Sequence, residues 1–438
     1  MVINRDEYLS EIIKRKWNGL VKVITGLRRC GKSFLLFELF QGHLLESGVG
    51  KESIVTFAFD TDDDIDKLDS YFPEEPTKII DPHTKTYTVN SKKFRAYIRD
   101  LTEGNGDYYL LLDEIQLLDN FVGTLNGFLK DKRFDVYVTG SNSKMLSNDI
   151  ITTFRGRGDP IKVSPLSFRE FFRASGLSFS EAYKEYSYYG GMPLVTQMRD
   201  EVQKSSYLSN LFEEIYIKDI LERREISEVD SFGRLIDVLA SSIGSYASPT
   251  TISNTFRFDL GVVYHHDTIK RHIESLKNSF LIREANRYDV KGRRYIEAKN
   301  KYYFADIGLR NARLGFREQE PTHIMENIIY NELWTRGYSI DVGIVETFER
   351  NAQGNNVRKQ LEVDFVCRRG NDTFYVQSAY RLPDEAKMEQ EERPLRLIAD
   401  SFQKIIVTRE DIKTYRTANG TIVMSLETFL LSSDRMGL

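Results

Sequence analysis

The sequence predicts an α/β protein with a parallel-sheet core. Three observations carry that prediction: apolar runs alternating with helix-length segments, a glycine-bearing turn between the first run and the first helix, and an acid pair closing a later run. Residues 20–25 (LVKVIT), 54–59 (IVTFAF), 108–112 (YYLLL) and 134–139 (FDVYVT) read as buried strands. Residues 33–45, 91–103 and 120–130 read as helices between them. A parallel connection has to cross back over the sheet, and a helix is the usual crossover, so this alternation gives parallel strands covered by helices. A polar, acidic stretch at 60–90 interrupts the pattern as a solvated insertion with a hairpin around Asp81-Pro82. Residues 170–225 are mostly amphipathic helix broken at Gly190-Gly191-Met192-Pro193, a hinge or an ordinary turn. Helices give way to a short β pattern over 226–315, and a further α/β segment, 321–438, closes the chain.

At 438 residues the chain is too long for one domain, so roughly two to four units are expected. Hydrophobic residues at 41% and charged residues at 29% describe a soluble protein with a sizeable core. The net charge of −4 speaks neither for nor against a nucleic-acid partner. Cys30 and Cys367 stand far apart and the six histidines are scattered, which gives no support to a zinc or redox site. No apolar run reaches about 18 residues, so no membrane helix is expected. The first residues lack the apolar core of a signal peptide, and the expectation is a cytoplasmic protein.

Residues 26–33, GLRRCGKS, match G-x-x-x-x-G-K-[ST] between a strand and a helix. Glycines let backbone N–H groups close around phosphate oxygens, and the helix N-terminus adds partial positive charge. Gly26 and the run Arg29, Cys30, Gly31, Lys32, Ser33 and Phe34 are the expected ATP contacts, with Lys32 on the β- and γ-phosphates and Ser33 on Mg²⁺. Asp113 and Glu114 follow a buried strand at the sheet edge where open α/β sheets bind ligands. Asp113 is expected to hold the magnesium through water, and Glu114 to polarise the attacking water. Ser141 or Asn142 in the next strand-end turn could sense the γ-phosphate, a plain turn being the alternative. Arg155 or Arg157 could complete a neighbouring subunit's site, or be a surface charge.

These residues resemble the AAA-superfamily ATPases of bacteria and archaea that carry a C-terminal domain of unknown function. The resemblance runs through GLRRCGKS, LLLDEIQ, VTGSNSKML, FRGR with SPLSFREFF, YYGGMP, IYIKDILERR, DTIKRHIESLKNSFLI, KYYFADIGLRN, ENIIYNELWTRGY and LEVDFV. It implies a P-loop ATPase core over 1–168, a helical lid over 169–225, a winged helix over 226–318 and a restriction-endonuclease-like α/β domain over 319–438. It also implies a homo-oligomer, a ring or arc.

Residues 267–277 (DTIKRHIESLK) put Ile269, Ile273 and Leu276 on one helix stripe, with Asp267 as N-cap and Lys270 and Arg271 on other faces. A strand at 281–288, the turn Lys291-Gly292-Arg293-Arg294 and Tyr302-Tyr303-Phe304 complete a winged-helix pattern. DNA contact through Lys270, Arg271, Lys291, Arg293 and Arg294 is one reading; protein contact is the other. In the C-terminal segment, Glu326 and Asp364 match the first two acids of nucleases of the restriction-endonuclease fold. Gln377 stands where a second strand acid is needed and Ala379 where a lysine is needed; Lys387 is a substitute from the next helix. Nuclease activity is therefore not expected. The reading is a Mg²⁺-dependent, oligomeric, DNA-associated ATPase, with branched or single-stranded DNA as candidate forms. A nucleotide-controlled protein-binding switch and an ATP-gated nuclease are the alternatives.

Overall fold

Val21–Gly26, Ile54–Ala58, Tyr108–Asp113 and Phe134–Gly140 form strands whose ends lie within one residue of the apolar runs that predict them. The computed structural model describes residues 2–82, 86–140, 156–217, 220–221, 226, 228–259, 261–317, 319–350 and 355–432. The chain divides into two units, 1–164 and 165–438.

In the first unit those four strands and Gly158–Val163 make a five-stranded parallel sheet. Its order is Ile54–Ala58, Tyr108–Asp113, Phe134–Gly140, Val21–Gly26, Gly158–Val163. The last strand lies outside the sequence expectation. It carries Pro160, which an edge position tolerates because one side of an edge strand needs no ladder donor. The strands from Val21 to Val138 are buried, and Phe57, Phe59 and Phe94 pack with ring centroids 4.7–5.0 Å apart beneath Ser91–Leu101. Asn90 caps that helix, accepting from the N–H groups of Lys92 and Lys93. The acidic insertion does contain a hairpin, Lys78–Ile80 paired antiparallel with Tyr87–Val89.

In the second unit Ser167 and Ser178 close capping boxes with Glu170 and Glu181, which start the helices Phe168–Ser175 and Phe179–Tyr189. The second helix stops at Gly190. Buried Asp306 reaches this stop: its Oδ2 accepts from Gly191 N–H at 2.7 Å, and its Oδ1 accepts from Leu309 N–H at 3.0 Å, capping Ile307–Arg313. Burial pushes this carboxyl up to about 6 against the pull of the backbone donors. At Gly308 a Cβ would lie 2.0 Å from the Tyr189 carbonyl oxygen, so only glycine lets the two segments interlock.

Helices Val229–Ser241, Pro249–Asp259 and His266–Asn278 precede an antiparallel pair, Ile282–Asp289 with Arg294–Phe304. Ile269, Ile273 and Leu276 are buried as their spacing predicts. Asp267 is not the N-cap: the helix begins one residue earlier, His265 occupies the cap position, and Asp267 sits in the first turn, where its charge still favours the helix dipole. The antiparallel pair belongs to a nine-stranded sheet. Val342–Ile344 runs parallel to Arg287–Asp289, and through this join the sheet continues into Ser339–Arg350, Asn356–Arg369, Asp372–Ala379 and Gln403–Thr408. No helix among the described residues is long and apolar enough to cross a membrane.

Candidate nucleotide site

The parallel register puts the ends of four strands at one edge. Thr25 lies beside Gly140, Leu112 beside Val138, and Ala58 beside Asp113. The sheet thus brings the turn after Val21–Gly26 to the same edge as Asp113 and Glu114, with one strand between them, and Ser33 reaches across to Asp113. Gly26 has φ +152°, and a Cβ on it would meet the Val163 carbonyl oxygen at 2.0 Å, so the chain can turn here only without a side chain. Arg29 also takes a left-handed φ, +59°, without being glycine, a strain of the kind that loops keep at functional turns. Gly31, φ +96°, caps the helix that starts at Lys32 and runs on through Leu35–Phe40 and Gln41–Glu46.

Lys32 is buried, and its ammonium donates to the carbonyls of Gly26 at 3.2 Å and Leu27 at 2.9 Å. Cys30 is buried with its thiol 3.6 Å from the Val163 carbonyl oxygen, turned toward the sheet. Arg29 and Ser33 are exposed, and Phe34 is half-buried in the first turn of the helix. Asp113 is buried and accepts hydrogen bonds from Ser33 and from the Thr139 hydroxyl. Burial raises its carboxyl above the usual range, the two hydroxyls oppose this, and the charges of Glu114 and Asp60 add to it. Glu114, with a left-handed φ of +51°, donates its N–H to the Thr139 oxygen at 3.2 Å and accepts from the Gln116 amide.

Two residues here escape sequence reasoning. Thr139 donates to Asp113 and accepts from Glu114, holding the acid pair from the neighbouring strand; its place at the end of a buried run is the signal that could have found it. Arg5 is buried and donates to the Cys30 carbonyl at 2.9 Å and the Ser164 carbonyl at 2.8 Å, fastening the turn from behind. A lone arginine before the first helix gives no such signal. Arg5→Met is expected to raise KM for ATP roughly fivefold, about 1 kcal/mol of lost positioning, with kcat little changed. Steady-state kinetics check this, and an unchanged KM removes the role.

Asn142, Ser141 and Arg155 lie outside the described residues. Arg157 precedes Gly158–Val163, and its carbonyl accepts from Val21 N–H, which puts it at the opposite sheet edge from Gly26. Its guanidinium donates to Asn126 at 3.1 Å, so the fold does not bring it to this chain's own site. Lys270 and Arg271 are exposed on their helix. In the turn, Lys291, Arg293 and Arg294 are exposed; Lys291 donates to the Glu346 carbonyl at 2.9 Å, and Arg294 lies 3.7 Å from Asp289. Nearby cations face elsewhere: Arg283 donates to Asn331, Arg287 to Gln360, and Lys301 is buried. The basic stretch is thus narrower at the surface than in the sequence.

Residues 18–172 match the model of the AAA domain family, and 180–320 match a domain of unknown function (DUF8612). An uncharacterized protein of Haemophilus influenzae is 30% identical over 93% of this chain and 93% of its own length. The chain belongs to the AAA superfamily of P-loop ATPases. At that identity and coverage, this chain and the Haemophilus protein belong to one protein family. The uncharacterized protein MJ1544 of Methanocaldococcus jannaschii is 26% identical to this ATPase over 89% of the chain and 80% of its own length. Among solved structures, the Walker-type ATPase paby2304 of Pyrococcus abyssi has a TM-score of 0.45 at 14% identity, covering 72% of this chain and 96% of that one. The ORC1 protein of Aeropyrum pernix in complex with DNA has a TM-score of 0.27 at 13% identity, covering 72% and 92%.

Proposed function

We propose that this AAA ATPase hydrolyses ATP with Mg²⁺ at the sheet edge described above, as an oligomer, and that it engages DNA through its second unit. The observation that carries the ATPase reading is the convergence of the 26–33 turn with Asp113 and Glu114. The donor set suits the expected ligands. Lys32 presents a buried ammonium that only loop carbonyls hold among its described hydrogen bonds, ready to be exchanged for phosphate oxygens. Ser33 and Asp113 offer hard oxygen atoms side by side, and the mutual repulsion of Asp60, Asp113 and Glu114 favours a divalent cation. When bound, the magnesium ion would neutralise charge on the phosphates. Thr139 fixes Asp113 and the Glu114 backbone in register, and Glu114, steadied by Gln116, would hold a water and take its proton. Arg157, turned from its own site, is available to a neighbouring subunit.

The DNA reading rests on the exposed Lys291, Arg293 and Arg294 beside an exposed Lys270 and Arg271. Neutralising Lys291, Arg293 and Arg294 together should weaken DNA binding about equally across sequences and flatten its salt dependence by roughly three counterions at most. Fluorescence anisotropy at several salt concentrations measures both. The pairing of Arg283 with Asn331 and of Arg287 with Gln360, and the burial of Lys301, favour a second reading, a nucleotide-controlled switch that docks a protein on this surface. The ATPase rate with and without single-stranded, duplex and branched DNA, with Lys32→Ala as blank, decides between them. Stimulation by one form supports the DNA reading, and a rate indifferent to all three supports the switch.

A further inference from the structure

The strand Arg294–Phe304 sends one charged side chain into the C-terminal part of the nine-stranded sheet. Lys301 is 3% exposed, and its ammonium donates to Glu326 Oε1 at 2.9 Å and to Glu362 Oε1 at 2.6 Å. Tyr303, on the same strand face, donates its hydroxyl to the same Glu326 oxygen at 2.6 Å. Glu326 comes from the helix Pro321–Thr335, and Glu362 and Asp364 come from Asn356–Arg369. Asp364 is buried beside them, its Oδ2 accepting from Ser378 N–H at 2.7 Å.

Glu326 and Asp364 are the acids that a nuclease of the restriction-endonuclease fold would offer to Mg²⁺, and the residues present do not fit that ion. Gln377 is committed to its neighbours: its oxygen accepts from Asp364 N–H at 3.4 Å, and its nitrogen donates to Glu391 at 3.1 Å. Lys387 is paired with Glu391 at 2.6 Å rather than with the strand acids. Among the described residues no group of three His, Cys, Asp or Glu side chains is arranged to hold a metal.

We propose that the Lys301 ammonium stands where a divalent cation would be held, so that the carboxylates of the C-terminal domain are closed against metal by the chain's own lysine. Burial works against a charged lysine, yet the surrounding carboxylates, Glu326 foremost, outweigh it and hold the proton on Lys301 beyond the usual lysine range. The Asp364 carboxyl is shifted upward as well. Burial first and Glu326 second raise it, while the Lys301 charge pulls it down, so this carboxyl too answers to the ammonium. The backbone also blocks withdrawal, because Lys301 pairs with Tyr246 on one side and Ala285 on the other. Moving the ammonium out would strip paired charges in a buried site, which is costly. On this account the domain recognises or braces, and does not cut.

The test uses the nucleotide-free full chain with Mn²⁺ as probe, read as bound Mn²⁺ by electron paramagnetic resonance and as Tm. Wild type and Asp364→Asn are expected to bind Mn²⁺ alike. Lys301→Met, freed of the ammonium, is expected to gain a Mn²⁺ site, with Tm rising by roughly 5 °C at about a hundredfold excess over Kd. Adding Asp364→Asn to that variant should abolish the gain. Loss of Mn²⁺ from the otherwise wild-type chain on Asp364→Asn would overturn the proposal, as would a folded Lys301→Met that takes no more Mn²⁺ than wild type. Should Lys301→Met not fold, the wild-type and Asp364→Asn comparison decides alone: equal binding upholds the closed site, and loss refutes it.

Discussion

Lys32→Ala is expected to lower kcat for ATP hydrolysis by at least about a hundredfold while leaving the protein folded. The two effects separate because of what the ammonium touches. It donates to the carbonyls of Gly26 and Leu27, so its removal strands two carbonyl oxygens of a turn at the sheet edge and leaves no uncompensated charge behind. The stability loss should stay near 1 kcal/mol. The catalytic loss is larger because Lys32 is the buried cation of the turn, whereas Arg28 is half-buried and Arg29 exposed. Glu114→Gln is the companion variant: it keeps the shape and the contact with Gln116 but loses the proton acceptor, so ATP should bind and remain. Phosphate release, retained nucleotide and thermal melting report the three quantities together. Turnover of Lys32→Ala above about a tenth of wild type would remove the 26–33 turn from the chemistry.

Asp135→Ala is expected to destabilise the first unit by about 3–5 kcal/mol. Asp135 sits at the sheet edge away from the nucleotide site, and Lys22, fully buried on the neighbouring strand, donates to it. Its other oxygen accepts from Trp17 N–H at 2.9 Å and from the Tyr137 hydroxyl at 2.7 Å. Without the carboxylate, Lys22 keeps the Leu20 carbonyl at 2.9 Å but has lost its countercharge. Burial already holds Lys22 below its ordinary value with Asp135 pulling it up, so removing Asp135 lowers it further. The native state of the variant then binds the lysine proton less well than the unfolded chain does. Its stability should therefore rise with pH up to the ordinary lysine value of 10.5, whereas wild type shows less of this slope. Urea melts from pH 7 to 10 measure it, and a variant within 1 kcal/mol of wild type at pH 7 would mean that the pair is solvated. Replacing both partners, Lys22→Met with Asp135→Leu, should recover much of the loss, since no charge is left buried alone.

The parallel core was legible because buried strands of an α/β sheet are near-continuous apolar runs, and the turn and the acid pair are local motifs whose spacing the backbone dictates. What stayed hidden was non-local. Gly158–Val163 has no apolar run, and it becomes a strand only because Val21–Gly26 offers it a partner. Thr139 acquires its role from register with Tyr108–Asp113, and Arg5 from a contact with Ser164 far along the chain. In the second unit, sequence reading searched for a missing lysine on the strand Asp372–Ala379 and on the following helix. The lysine among the acids comes instead from Arg294–Phe304, far earlier in sequence.

The shared sheet of the second unit has a consequence for how the protein can be divided. Ile282–Asp289 is lined on one side by Arg294–Phe304 and on the other by Ser339–Arg350. Ending the chain near residue 318 would take away the second neighbour and leave a row of open N–H and C=O groups, the kind of edge that recruits stray strands into aggregates. The segment from Val229 to Phe304 and the α/β segment after it are thus not exchangeable modules. They are two stretches of one fabric, and recombination between them would have to preserve the seam.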